Sequence, residues 1–163
     1  MKLSDGIEWG MHCCTVLALL PRGTALPASR LAEFHGVPPA YLAKHLQALA
    51  RAGIVQSTPG PRGGYRLSRE PGAITLLEIV DAIDGGAPAF RCTEIRQRGP
   101  ACVDEISAYL KPCGIARAMW KAEDAYRRSL REQTVADLIR GLATDVDPRA
   151  AVKAAAWMQE VLS

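Results

Sequence analysis

The strongest limit on what this chain can fold into is the punctuation between residues 28 and 86. A helical pattern from about Ala28 to Phe34 runs into His35-Gly36-Val37, where glycine supplies the backbone freedom a sharp reversal needs. Pro38-Pro39 opens a further helix, because proline is tolerated where amide hydrogens have no partner in any case. That helix reaches about Ala52 and ends at Gly53. Ile54 to Thr58 reads as a strand, Pro59-Gly60-Pro61-Arg62-Gly63-Gly64 as a turn and Tyr65 to Ser68 as the return strand. An apolar helix from a Ser4 cap to about Leu20 precedes this set. Another helix follows it, from Thr75 and Glu78 at capping-box spacing to Gly85-Gly86. Helix, helix, helix, hairpin, helix is the order of a winged helix-turn-helix. The expected class is therefore mainly α, with a small β-hairpin wing.

Charge agrees with a polyanionic partner. Residues 34–69 hold Lys44, Arg51, Arg62, Arg66 and Arg69 and no acidic residue, although the whole chain carries only +3. Double-stranded DNA fits such a stretch, whereas a solvated face or a protein contact is the plainer reading. In the third helix Leu42, Leu46 and Leu49 share the core side. Lys44, Gln47, Ala48 and Arg51 lie roughly opposite, with Tyr41 on the flank. Lys44 and Gln47 suit base edges, and Tyr41 and Arg51 suit phosphate. Arg62, on a hairpin tip stripped of bulk by glycine, suits a narrow minor groove. No phosphate-binding glycine loop, nucleophile elbow or HExxH motif is present, so neither an enzyme nor a small-molecule substrate is expected. The longest apolar run, Met11 to about Pro21, contains His12 and falls short of the roughly 20 residues a membrane span needs. The expectation is a soluble cytoplasmic protein with no membrane partner.

Four parts are expected: a winged helix-turn-helix over 1–85, a cysteine-bearing loop over 86–113, a long helix and a short one over 114–142, and an extension over 143–163. In the long helix, about Gly114 to Glu132, Ile115, Met119, Ala122 and Tyr126 form a narrow apolar stripe. Such a stripe suits pairing with its twin across a dimer axis, which makes this a candidate dimerisation helix. Packing on the chain's own winged domain fits the periodicity equally. Trp157 is the expected anchor of the last helix.

Five cysteines argue against a disulfide framework. Cys13 and Cys14 sit in the first helix, while Cys92, Cys102 and Cys113 lie in the polar loop. Their spacing is not that of a zinc knuckle. Three thiols fall one short of the usual four for an iron–sulfur cluster, and Glu8 with His12 offers two further donors one turn apart on one helix face. From spacing alone, thiol sensing, inert thiols and a metal site all stay open.

Several longer stretches carry a resemblance: Glu8-Trp9, His12-Cys13-Cys14, Tyr41-Leu42-Ala43-Lys44, Gly60-Pro61-Arg62-Gly63-Gly64-Tyr65, Ile74 to Val80, Cys92 to Pro100 and Ile115 to Met119. The chain resembles the IscR/NsrR family of bacterial winged-helix regulators from residue 1 to about 142, and within it the redox-sensing RsrR branch. The resemblance implies a homodimer on a near-palindromic DNA operator, governed by an iron–sulfur cluster, with 2Fe–2S favoured over 4Fe–4S. It implies Glu8 and His12 of one subunit and Cys102 and Cys113 of the other as ligands, with Cys92 spare. A rival set, Cys92, Cys102 and Cys113 plus one helix residue, resembles the three-cysteine loops of IscR and NsrR. Trp9, between the helix ligands in sequence, is a candidate redox-coupled ring, with plain core packing as its other reading. The alternative function is a cluster-free thiol-based or nitric-oxide-responsive winged-helix regulator.

Overall fold

The computed structural model describes residues 4–60 and 63–163. Arg62 and the segment 1–3 lie outside the described residues. The helix-turn-helix consists of α2 (Ala28–His35) and α3 (Pro39–Arg51), and α1 (Asp5–Leu19) packs against α3. Gly36 adopts φ 64°, a left-handed conformation that L side chains rarely take, and this lets the Val37 amide donate to the Ala32 carbonyl at 3.0 Å. Leu42, Leu46 and Leu49 are fully buried with Leu31, Cys13, Cys14 and Leu26, as the leucine spacing predicts. Ser4 occupies the N-cap position of α1, but its hydroxyl does not cap the helix. It donates to Asp84 Oδ1 at 2.6 Å instead, tying α1 to the end of α4 (Leu76–Asp84).

The wing pairs β1 (Val55–Thr58) with β2 (Gly64–Leu67) in the register Val55 to Leu67 and Thr58 to Gly64. Ile54, read as strand from sequence, precedes the ladder and is fully buried, and its carbonyl accepts from the Ser68 amide. A single extended residue widens the hairpin. The Leu26 and Tyr65 amides donate to each other's carbonyls at 2.9 and 2.8 Å, so the wing is stitched to the loop between α1 and α2.

Two capping boxes fix the return of the chain. The Thr75 hydroxyl accepts from the Glu78 amide at 3.2 Å and Glu78 Oε2 accepts from the Thr75 amide at 2.8 Å, which begins α4. Thr134 and Asp137 repeat the arrangement at the start of α6 (Val135–Asp145). The two starts are joined, because the Leu76 amide donates to the Gln133 carbonyl and the Val135 amide to the Ile74 carbonyl. Between them α5 (Gly114–Arg131) reaches outward, held to α4 by the forked Arg127–Asp81 pair at 2.9 and 2.7 Å. Ile115, Met119 and Trp120 on α5 are 70%, 44% and 42% exposed, so the amino-terminal part of the stripe is not packed on its own domain. The last helix, α7 (Pro148–Leu162), packs Trp157 against Phe34 of α2. None of the described helices is long and apolar enough to cross a membrane.

Close approach of α1 and α3 depends on Gly6. A Cβ at that position would collide with the His45 ring, which is itself buried. Gly6→Ala is expected to destabilise the fold by about 1–3 kcal/mol, the range for overpacking a core. Urea unfolding of the two proteins side by side checks this.

Candidate nucleic-acid interface and thiol loop

Burial of the leucine face leaves Tyr41, Lys44, Gln47 and Arg51 exposed on α3, while Ala43 and Ala48 are half-buried. The Tyr41 ring is not free to swing. Its centroid lies 4.7 Å from that of Trp9 and 4.8 Å from that of His45, both in edge contacts. Trp9 thus projects from α1 onto the reading helix, and it is half-buried there. The ring packs against the core and touches Tyr41. His45 is pushed below the usual histidine range, by burial first and by Lys44 second.

On α1 the Glu8 and His12 side chains are both exposed. They border a cleft of about 600 Å³ between α1, α5 and α6, lined also by Met11, Tyr126, Leu130 and Leu138. The His12 ring stands 5.5 Å, centroid to centroid, from that of His35 at the end of α2. His35 is pushed down to about 4 by burial and then by His12, and its Nε2 is buried without a partner among the described residues. The neutral form of His35 is therefore the favoured one beside His12. In the sequence Phe34-His35-Gly36 reads as a helix end and turn, and nothing in its spacing points to His12.

The cysteine loop is organised around Arg96 and Tyr109. Arg96 makes a two-pronged ion pair with Glu94, a residue held at φ 48°, and donates to the Lys111 carbonyl at 2.9 Å. Its guanidinium is held firmly charged by Glu94 first, and more weakly by Cys113 and Cys92. Cys92 Sγ accepts from the Glu94 amide at 3.4 Å. Cys113 Sγ accepts from the Ala116 amide at 3.2 Å, capping α5. Cys102 is exposed, and the Tyr109 hydroxyl lies 3.6 Å from its sulfur while accepting from the Val103 amide at 2.8 Å. Glu8 and His12 share one helix face, and Cys92 and Cys113 share Arg96. Among the described residues no three His, Cys, Asp or Glu side chains converge as a set that could hold one metal ion.

A family model described as "Rrf2: Iron-dependent Transcriptional regulator" matches residues 3–141. The chain belongs to the Rrf2 family. The Lactococcus lactis protein YffB, named as an HTH-type transcriptional regulator, is 30% identical over 138 residues, covering 85% of this chain and 86% of its own. The solved CymR of Bacillus subtilis, titled the global cysteine regulator, superposes with a TM-score of 0.66 at 26% identity. That match covers 86% of this chain and 97% of CymR. IscR of T. potens, at 21% identity and a TM-score of 0.64 over 93% and 96% of the two chains, shares the fold. The winged-helix expectation and the family resemblance are both borne out, and these named relatives are regulators rather than enzymes.

The five thiols are not equivalent. Burial pushes Cys13 up to about 12 and raises Cys14 as well, so neither forms thiolate near neutral pH. Native-state labelling of iron-free protein with a maleimide at pH 7.5, read by peptide mass spectrometry, is expected to modify Cys102 first and Cys92 and Cys113 more slowly. Cys13 and Cys14 should react only after unfolding.

Proposed function

We propose that this Rrf2 protein is a redox-responsive, homodimeric DNA-binding regulator whose DNA affinity is governed by a 2Fe–2S cluster shared between subunits. The observation that carries the proposal is the surface placement of two separate donor pairs. Glu8 and His12 stand exposed on α1, and the cysteines stand on a loop that runs directly into the exposed apolar stripe of α5. A second chain paired along α5 would bring its cysteines toward the first chain's α1.

The donor chemistry fits the group. Two carboxylate and imidazole donors at i, i+4 present one face. Half-exposed or exposed sulfurs, with Arg96 beside two of them, suit thiolate ligation. Glu8, His12, Cys102 and Cys113 are the proposed ligands, with Cys92 as the alternative. A bound cluster of this type supplies a one-electron couple, and His and carboxylate ligation makes it less electron-rich than an all-thiolate one.

The chain itself supplies the coupling. α1 carries Glu8 and His12 on one side and, between them, Trp9 against Tyr41 of α3. A displacement of α1 is thus transmitted to the reading helix through a ring contact rather than through a flexible linker. Tyr41, Lys44, Gln47 and Arg51, with Arg62 from the wing, are the proposed DNA contacts. Two such heads must stand about 34 Å apart to enter successive major grooves, so a small change in the angle of each head decides whether both engage. Two structural observations favour a second, cluster-free thiol reading: the exposure of Cys102 beside the Tyr109 hydroxyl, and the likeness to CymR.

Anaerobic purification with iron and sulfide counts and a visible spectrum separates the readings. The expected result is a coloured protein with about two irons and two sulfides per cluster, and loss or alteration of its absorption in His12→Ala and Cys113→Ala. Wild-type spectra from both variants would defeat the ligand assignment, and colourless iron-free protein would favour the thiol reading. A duplex enriched from a randomised library should bind with different affinity before and after dithionite, and Lys44→Ala should weaken it by about 1–3 kcal/mol. Met119→Glu is expected to shift sedimentation from dimer to monomer, and an unchanged dimer would remove α5 from the interface.

A further inference from the structure

The carboxylate of Glu33, on the first helix of the helix-turn-helix, is divided between two helices. Oε2 accepts from Arg30 Nη1 at 2.7 Å, and Oε1 accepts from the Trp157 indole N–H of α7 at 3.2 Å. The Trp157 ring rests on Phe34 with centroids 4.9 Å apart, and Met158 and Val161 of α7 pack against the same core. α7 lies wholly outside the residues matched by the family model, 3–141. An element beyond the family model's match therefore clasps α2. Glu160, also on α7, adds a second, weaker negative influence on Arg30 after Glu33.

Arg30 is half-exposed, on the helix that crosses the phosphate backbone in helix-turn-helix proteins. A guanidinium in that place ordinarily binds phosphate. Here it is paired with a neighbour one turn away, and a second acid, Glu160, acts on it from α7.

We propose that Glu33 masks Arg30 from DNA and that α7 sets the mask. The indole N–H fixes one carboxylate oxygen and so aims the other at Arg30. Docking of α7 then limits the number of phosphates each head engages, and lifting it releases Arg30 as an additional phosphate ligand. Glu33 and Trp157 are positioning residues in this scheme. The proposal rests on the DNA-binding reading above.

The test is the salt dependence of binding to the library-enriched duplex, measured by fluorescence anisotropy. Glu33→Gln keeps an oxygen for the indole and removes the charge. It is expected to tighten binding about threefold to tenfold at low salt and to steepen the slope of log K against log[salt] by about 0.9 per head. Arg30→Gln should change little alone and should erase the gain when combined with Glu33→Gln. Trp157→Phe keeps the ring but not the donor, so it should give part of the gain, and none in the Glu33→Gln background. An unchanged slope in Glu33→Gln would overturn the proposal. So would a gain that persists without Arg30, because long-range repulsion alone would then explain it. If the wild type fails to enrich any duplex, the DNA-binding reading falls first; wild-type binding with no Arg30-dependent gain defeats only the mask.

Discussion

Burial of one face of α3 against α1 is the interaction from which the rest of this molecule follows. Leu42, Leu46 and Leu49 can enter the core only because Gly6 leaves room for the His45 ring at the crossing of the two helices. Once that face is buried, the opposite one is left to Tyr41, Lys44, Gln47 and Arg51. The proposed reading surface is thus the complement of the packing surface, and both are set at one crossing. The same helix α1 carries Glu8 and His12 on a different side, so the proposed sensing and reading functions share a rigid element.

Much of the fold was legible from local chemistry. Gly36, Pro39 and the Thr75–Glu78 capping box each act within one turn of chain, and each element they delimit appears within a residue or two of its expected bounds. Ser4 illustrates where local reasoning stops. It stands at the cap position, yet a partner eighty residues away, Asp84, takes its hydroxyl. The Leu26–Tyr65 stitch and the contact of His12 with His35 are of the same kind. They arise from the meeting of distant segments, and no period or spacing encodes them.

The candidate site divides along the same line. The exposed face of α3 follows from helical periodicity, and so does the shared face of Glu8 and His12. The organisation of the thiol loop does not, because Arg96 and Tyr109 act there through contacts set by irregular backbone, including Glu94 at a positive φ. Exposed apolar residues on α5 could be read as a stripe from sequence, but which partner covers them depends on a second surface.

The joined starts of α4 and α6 have an architectural meaning. Because Leu76 and Val135 are hydrogen-bonded to residues at the opposite start, the chain from Gly85 to Glu132 departs from the end of α4 and returns along α5 to its beginning. Such an excursion behaves as a cassette. Its length and sequence can be rewritten while the paired starts of α4 and α6 keep the head intact.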